Sequence, residues 1–326
     1  MSTPFSHFFA KINHFSPLEH NFTEGLEAIA LKPKILYFRG KMPQNVSKNG
    51  KSVRPKVVAI VGSRHNTRYG HEVAYKLAYE LAKAGVIVVS GLAYGIDSIA
   101  HRGCLDAGGT TIAVLGNPID KVHPAQHTKL AQEIIEKGGM ILSEYPPCTS
   151  EYASAPLAPA EYLNDSGKRQ LQYAATFLYR NRLISGLSDA VVIVEAATKS
   201  GSLNTATHAI EQGKEVFAVP GNITNPYSQG CNKLIRQGAH PYTCPDDILD
   251  FLFPKRLAAK TKSQLRLFGD NDVETAILKS LSEGTTLGEE IMTSSCLPVE
   301  VFNESITLLE IKGRVRSLGA NRWCLI

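Results

Sequence analysis

The segment 56–91, KVVAIVGSRHNTRYGHEVAYKLAYELAKAGVIVVSG, contains a strand–helix–strand pattern. Its first part, 56–62, is mostly β-branched and apolar, which predicts a strand that ends at Gly62. Apolar residues then recur at helical spacing until Gly85, and the apolar run 86–91 predicts a second strand. Because a helix between two strands of this kind connects parallel neighbours, the segment predicts an α/β fold.

The same alternation continues through most of the chain. Further strands are predicted at 111–116, 140–144, 190–196 and 215–221, with helices between most of them. Each predicted strand is almost entirely apolar, which indicates that both of its faces are covered. The sequence therefore predicts a parallel sheet with helices on both faces.

The pattern changes along the chain predict four parts. These are a short, weakly patterned N-terminal segment 1–50, a sheet domain 51–253, a linker 254–270 and a C-terminal domain 271–326. In the last part, two or three short helices precede a hairpin, an order that fits a small winged-helix-like module. Within the sheet domain, the stretch 145–176 interrupts the alternation and predicts an excursion over the surface.

Basic residues are concentrated where acidic residues are absent. The formal net charge is only +5, but the stretches 28–71, 166–188 and 311–326 contain no Asp or Glu. Together these stretches favour a polyanionic partner, although any one of them could also be a solvated basic surface.

Cysteine usage and hydropathy indicate the class of protein. The six cysteines form no CxxC pair and the histidines add no spacing typical of metal ligands, so we expect neither a metal nor a cofactor. The first 20 residues lack the basic start and long apolar core of a signal peptide, and no apolar run approaches the roughly 18 residues of a membrane span. These features predict a soluble cytoplasmic protein with reduced thiols and no membrane partner.

Small residues follow the predicted strands and suggest anion sites at one end of the sheet. The residues concerned are Gly62, Ser63 and Arg64, then Gly91, and later the turn of Lys199, Ser200 and Gly201. Because ligands of open parallel sheets bind beyond the carboxyl ends of the strands, we expect these loops to lie close together. Glycine and serine at a helix N-terminus let phosphate approach backbone N–H groups. The sequence has no GxxxxGK[ST] loop, and GSRHNTRYG is not a GxGxxG fingerprint.

The segment FLYRNR, which begins at Phe177, supplies two further arginines. If it is helical, Arg180 and Arg182 cannot share a face, so one can reach a ligand while the other pairs internally with an acid such as Glu144 or Glu195. Guanidinium groups suit bidentate contacts with phosphate. Phe177 could stack on a base or be a core aromatic residue, and the sequence leaves both interpretations open.

Few residues form a set typical of catalysis. Asp97 and His101 are four residues apart, but the simpler interpretation is that Asp97 caps its helix and His101 packs against it. Glu195, at a strand end, could act as a base or pair with a nearby arginine. The turn SGSLNTA at 200–206 lacks the glutamate that phosphoribohydrolases carry after their PGGxGT signature, and no GxSxG or HExxH motif is present. The residues alone leave two hypotheses: a non-enzymatic nucleic-acid binder, and an enzyme or sensor that acts on a nucleotide.

Several longer motifs resemble one known family. In chain order these are VAIVGSR, VVSGLAYGIDSIAH, TIAVLG, ILSEYPP, the stretch from RNRLISGL to AVPGNI, and SQGCNKLIRQGA. Across residues 33–245 the sequence is similar to the DNA-processing protein A (DprA/Smf) family. LLEIKGRVRSLGANRWCLI also resembles the family's C-terminal winged-helix-like module.

The resemblance implies an extended Rossmann-like domain that binds single-stranded DNA in a basic pocket, as a homodimer and without catalytic activity. It also implies protection of incoming DNA during natural transformation and loading of the RecA recombinase onto that DNA. The alternative function is a nucleotide-binding or nucleotide-hydrolysing enzyme of the same broad fold. The residues expected to bind DNA are Gly62, Ser63, Arg64, Gly91, Phe177, Arg180, Asn181, Arg182, Lys199, Ser200 and Gly201.

The sequence departs from the family pattern at three places. The family's helical N-terminal domain is reduced here to the segment 1–50. The family's FPxRNR is FLYRNR, which keeps the position of Phe177 but lacks the proline. His123 replaces the usual tyrosine in VHP.

Overall fold

The computed structural model describes residues 11–48, 51–149, 158–159, 161–163, 169–254 and 269–325. The chain divides into two compact units, Met1–Leu252 and Phe253–Ile326. Most of the predicted linker 254–270 and part of the predicted excursion 145–176 lie outside the described residues.

The described part of the first unit contains short strands separated by helices. The strands are β1 Asn13–Phe15, β2 Leu36–Gly40, β3 Val46–Lys48, β4 Lys51–Val53, β5 Val57–Val61, β6 Ile87–Ser90, β7 Thr111–Leu115, β8 Met140–Ser143, β9 Glu161–Leu163, β10 Arg169–Leu171, β11 Ala190–Ile193, β12 Glu215–Ala218 and β13 His240–Pro241. The α-helices are α1 Arg68–Lys83, α2 Ile96–Asp106, α3 Thr128–Glu136, α4 Tyr173–Leu187, α5 Gly201–Glu211, α6 Gln229–Arg236 and α7 Pro245–Leu252. Shorter 3-10 helices occur at Pro17–Glu19, Asn21–Ala28 and Ala125–His127.

Nine of these strands form one sheet in the order β1-β2-β8-β7-β6-β5-β11-β12-β13. From β8 to β13 in this order, every pair of adjacent strands is parallel. At the other edge β2 pairs antiparallel with β8, and β1 pairs antiparallel with β2. The predicted parallel sheet is therefore confirmed, with two antiparallel strands added at one edge. β3–β4 and β9–β10 form separate hairpins.

The order of the strands reverses at β5. β6, β7 and β8 follow on one side of it, whereas β11, β12 and β13 lie on the other. The loops after β5 and β11 therefore diverge from a topological switch point, the place where doubly wound sheets bind their ligands.

Alternate residues of β7 face two different cores. Ile112 belongs to a core cluster with Leu183 of α4 and Ala206 of α5. The next residue, Ala113, belongs to a cluster with Ile134 of α3. All these side chains are fully buried, so helices cover both faces of the sheet, as the apolar strands predict.

The N-terminal segment belongs to the first unit. β1 and β2 extend the sheet, and Phe22 and Leu26 are buried in the core that also contains residues of α4. The prediction separated residues 1–50 from the sheet domain, whereas the structure places both in one compact unit. The reason is that apolar side chains of the N-terminal segment pack into the core of the sheet domain.

The described part of the second unit contains helices followed by a hairpin. Its elements are α8 Asp272–Ser282, α9 Gly288–Ser295, α10 Val299–Ile311, β14 Val315–Gly319 and β15 Arg322–Leu325. The three helices and the hairpin enclose a small core that includes Ile277, Phe302 and Leu309. The predicted order of short helices and then a hairpin is confirmed, and its description as winged-helix-like stays a prediction.

Charge is distributed unevenly within this second unit. α10 carries Glu300, Glu304 and Glu310 and has no Lys or Arg. Arg316 and Arg322 lie instead on the exposed hairpin. α10 is therefore acidic, which is unfavourable for contact with a polyanion.

Candidate nucleic-acid interface

A cavity of about 400 Å³ lies beyond the carboxyl ends of β5 and β11, at the switch point. Its walls come from the loops after β5 and β6, from α4 and from the turn that begins α5. The predicted residues that line it are Gly62, Ser63, Arg64, Phe177, Arg180, Asn181, Ser200 and Gly201. The structure thus brings most of the predicted residues to a single cavity, and their contact with DNA stays a prediction.

The turn before α5 presents a helix N-terminus to this cavity. Ser200 is the N-cap residue, and its Oγ accepts a hydrogen bond from the Ser202 N–H at 3.3 Å. The side-chain amide of Asn181 on α4 donates to the Gly201 carbonyl at 3.3 Å and to Asn204 Oδ1 at 3.2 Å. α4 thereby fixes the start of α5, whose first backbone N–H groups and helix dipole favour an anion.

Arg180 is a buried cation in the wall of the cavity. It is 4% exposed, and its Nη1 donates to the Gly91 carbonyl at 2.9 Å and to the Val114 carbonyl, while Nε donates to Asn181 Oδ1 at 3.2 Å. Burial lowers its pKa to about 10, and the nearby Asp97 carboxylate opposes this shift. The guanidinium keeps its charge at neutral pH, in surroundings where attraction to a phosphate is weakly screened.

Gly91 makes room for Arg180. A Cβ at this position would lie 2.5 Å from Arg180 Nη2 and 2.6 Å from Nη1. Gly91 is not among the residues that line the cavity. Its contribution in this structure is to let the guanidinium reach the carbonyl groups at the ends of β6 and β7.

Arg64 brings a second guanidinium group to the same cavity. It is exposed, and its Cζ lies 5.8 Å from the centre of the Phe177 ring. After burial, which has the largest effect, the charge of Arg64 also lowers the pKa of Arg180. Because an anion beside two like charges relieves their repulsion, this pair of arginines favours phosphate binding.

Phe177 forms one side of the cavity and is half-buried. It packs over Gly116, where an added Cβ would lie 2.8 Å from Phe177 Cδ1. The His123 ring lies 5.4 Å away, centre to centre, at an interplanar angle of 38°. The two interpretations of Phe177 are therefore compatible: part of the ring is anchored in the protein, and the remaining surface beside Arg64 is available for stacking.

Arg182 and Lys199 do not line this cavity. Nη2 of Arg182 donates to both carboxylate oxygens of Glu144, at 2.9 and 2.8 Å, and Nε donates to the Leu31 carbonyl at 2.9 Å. Arg182 is thus the arginine that pairs internally, and a contact with a ligand in the cavity would require this ion pair to break. Lys199 is exposed in the turn, next to Ser200.

The acidic residues near the cavity are engaged in structural hydrogen bonds. Asp97 accepts from the N–H groups of Gly91 at 3.1 Å and Ala93 at 3.4 Å, so it fixes the loop that follows β6. Glu195 accepts from the Thr67 N–H at 2.9 Å and from the Thr67 hydroxyl at 2.5 Å. The interpretation of Glu195 as a partner of an arginine is wrong, because its carboxylate holds the start of α1.

His101 is a neutral core residue. Its Nδ1 lies 2.7 Å from the Thr111 hydroxyl, which itself donates to the Val88 carbonyl at 2.8 Å. Because that hydroxyl hydrogen is already committed, Nδ1 carries the proton and donates to Thr111. Burial lowers the pKa of His101 to about 3. His101 is thus packed in the core, as the simpler interpretation predicts. The other half of that interpretation is wrong, because the N-cap residue of α2 is Gly95 and Asp97, inside the helix, binds the preceding loop instead.

Residues that the sequence did not single out also line the cavity. They include His65, Leu178 and Tyr227. Leu178 is 46% exposed, although it follows Phe177 directly on α4. Tyr227 lies in the long loop after β12, and the only sequence signal for it was the position of that loop beyond a strand end.

Two further properties hold for the part of the chain that the structure describes. It contains no cluster of three or more His, Cys, Asp or Glu side chains placed to hold a metal ion. In the same ranges, no helix combines the length and apolar character needed to cross a membrane.

Known proteins are similar to this chain in sequence. Protein Smf of Escherichia coli is 44% identical over 195 residues, which cover 60% of this chain and 46% of that protein. DNA processing protein DprA of Bacillus subtilis is 38% identical over 231 residues, or 71% of this chain and 68% of that protein. The chain thus matches less than half of the Escherichia coli protein.

A solved structure is also similar. DNA processing protein A of Helicobacter pylori, described for its single-stranded DNA binding mode, superimposes with a TM-score of 0.58 and 29% identity. The match covers 75% of this chain and 97% of that one. The sequence model of the DNA recombination-mediator protein A family matches residues 13–253, which include the whole nine-stranded sheet and the cavity at its switch point. The chain therefore belongs to the DNA recombination-mediator protein A family.

Proposed function

We propose that the cavity at the switch point binds the backbone of single-stranded DNA without catalysis. The observation that carries this proposal is the convergence of Arg64, Arg180 and the N-terminus of α5 on one cavity. All three provide positive charge or backbone donors for a phosphate, and Phe177 beside them provides a surface for a base. None of these groups selects a particular base, so binding is independent of sequence.

The relatives support the choice of ligand. The Helicobacter pylori protein is described for its single-stranded DNA binding mode, and its match covers 75% of this chain. A partly exposed aromatic ring such as that of Phe177 favours unpaired bases, because the faces of bases in a duplex are covered by their neighbours. We therefore expect this chain to prefer single-stranded over double-stranded DNA.

We extend the proposal to the cellular role implied by the family resemblance. The protein acts in the cytoplasm as a homodimer, protects incoming single-stranded DNA during natural transformation and loads RecA recombinase onto it. Two measurements test these statements separately. The mass of the protein in solution tests the homodimer, and the rate of RecA filament formation on DNA coated by single-stranded-DNA-binding protein tests loading.

The alternative, a nucleotide-hydrolysing enzyme, has less support from the geometry. A general base needs a carboxylate that is available to a substrate or a water. Both oxygens of Glu195 accept hydrogen bonds from Thr67, and Asp97 holds backbone N–H groups of the loop after β6. Turnover of a nucleotide that is abolished by Glu195→Gln, with the fold intact, would favour the alternative.

The direct test is a titration of the purified protein with fluorescently labelled single-stranded and double-stranded oligonucleotides at two salt concentrations. We expect tighter binding to the single strand and affinity that falls steeply with salt, since bound phosphates release counterions. Arg64→Ala should weaken binding to every sequence and reduce the slope of log affinity against log salt by about 0.7. An unchanged affinity for Arg64→Ala would contradict the proposed site.

A further inference from the structure

A second cavity, of about 440 Å³, lies next to the first. Its walls are the Phe177 ring and residues of the loop between β7 and α3, namely Asn117, Pro118, Lys121, Val122 and His123. Of the described residues, only Phe177 lines both cavities. The ring thus separates two spaces, and each lies within the range of volumes that bind small organic groups.

The loop that forms this second cavity is held in a fixed conformation. Asn117 is 2% exposed, and its Nδ2 donates to the carbonyls of Pro118 at 3.1 Å and Lys121 at 2.5 Å. Ser143 on β8 donates from its Oγ to the Asn117 carbonyl at 2.7 Å. Because the wall is formed before any ligand arrives, a ligand would bind there without the entropy cost of ordering the loop.

The side chains on this wall suit a nucleotide. Lys121 and His123 are exposed, and the His123 ring lies beside Phe177. An ammonium group contacts phosphate, and neighbouring aromatic rings stack a base. Asp120, the acidic residue of the same loop, accepts from the Cys148 N–H at 3.0 Å through Oδ2, so part of its carboxylate is already engaged.

The sheet places the two cavities in line. β5, β6 and β7 are consecutive neighbours, and the loops after β5 and β7 contribute to the first and second cavity respectively. Neighbouring strands are about 4.8 Å apart, so β5 and β7 are separated by roughly 10 Å. A polymer of nucleotides can cross this distance, whereas a mononucleotide would occupy one cavity or the other.

We propose that the second cavity is a further subsite for the same DNA strand, with a base against His123 and Phe177 and a phosphate at Lys121. This inference rests on the proposed function of the first cavity. Phe177 then separates two successive bound segments of the strand, and the length of DNA needed for full affinity is set by both cavities.

The test compares thymidylates of different length, from a mononucleotide to about 16 nucleotides, in a fluorescence anisotropy titration. We expect the double variant Lys121→Ala/His123→Ala to bind the long oligonucleotides about fivefold or more weakly, as for the loss of one stacked base. Its affinity for the mononucleotide, which the two arginines hold in the first cavity, should equal that of the unmodified protein. Arg64→Ala should weaken binding at all lengths.

Three controls separate the possible causes. His123→Phe keeps an aromatic ring at this position, so it should keep the stacking contribution to affinity. Lys129→Ala removes an exposed charge on α3, outside both cavities, and should leave the affinities for all lengths unchanged. If the double variant lost the same affinity for every length of DNA, or lost none for any length, the second subsite would be overturned and the first would stand. Absence of single-stranded DNA binding by the unmodified protein would overturn both.

Discussion

Arg182 donates from Nη2 to both carboxylate oxygens of Glu144, at 2.9 and 2.8 Å, in a buried ion pair. Two residues earlier on the same helix, Arg180 points to the cavity at the switch point. A helix turns by about 200° over two residues, so the two arginine side chains lie on opposite sides of α4. The motif RNR therefore combines a structural arginine with one that faces the proposed ligand.

The first prediction concerns the stability contributed by this ion pair. Arg182→Ala leaves the Glu144 carboxylate buried without its partner, and we expect the free energy of unfolding to fall by about 3–5 kcal/mol. Arg64→Ala, at an exposed position, should change it by about 0.5 kcal/mol or less. Urea denaturation followed by circular dichroism measures both. A stable Arg182→Ala protein that has lost DNA affinity would show instead that Arg182 contacts DNA.

The second prediction concerns the space that Gly91 leaves for Arg180. The Cβ of Gly91→Ala would lie 2.5 Å from Arg180 Nη2, so the guanidinium must move and affinity for single-stranded DNA should fall about tenfold. If displacement of Arg180 is the whole cause, Gly91→Ala should have no further effect in a protein that already carries Arg180→Ala. A double-mutant cycle of binding free energies measures this. Additive losses would assign Gly91 a contact of its own.

The apolar strands and glycine-terminated helices allowed the sheet to be predicted from sequence. The signal was strong for β5, which is apolar throughout, for β6, which is apolar up to Ser90, and for α1, which is followed by Gly85 at a φ of 76°. It was weak for β1, which has only three residues, and for β2, because both strands pair antiparallel at the edge and stand outside the strand–helix–strand repeat. Pairing of that kind depends on tertiary contacts rather than on local pattern.

The candidate site was predictable where residue type determines the chemistry. Arg64 and Ser200 belong to loops at strand ends, and the topology brings such loops together. Which arginine of RNR faces inward depended on the rotation of α4, which sequence spacing alone does not determine. The engagement of Glu195 with Thr67 was missed for a related reason, since the two residues are 128 positions apart.

The third prediction concerns Phe177 as a stacking surface. Phe177→Ala should weaken binding of single-stranded DNA about fivefold or more, because one stacked base contributes about 1–3 kcal/mol. Since no charge is removed, the salt dependence of binding should stay the same, in contrast to Arg64→Ala. Phe177→Trp should retain affinity, and Tyr179→Ala, at a nearby exposed aromatic residue outside the first cavity, serves as the control. A changed salt slope for Phe177→Ala would indicate that the ring acts by positioning Arg64.

The last prediction concerns the buried neutral His101. Its pKa is lowered to about 3 in the folded protein, whereas an unfolded chain has a histidine pKa of about 6.5. Between these values the unfolded state binds more protons, so stability is complete above about pH 6.5 and falls as the pH drops towards 3. We expect this residue to lower the free energy of unfolding by about 2 kcal/mol between about pH 7 and pH 5. In urea denaturation at several pH values, His101→Gln should be less sensitive to acid than the unmodified protein, whereas His240→Gln, at an exposed position, should not differ. Equal acid sensitivity of the His101→Gln and unmodified proteins would mean that His101 is already protonated in the folded state or accessible to water.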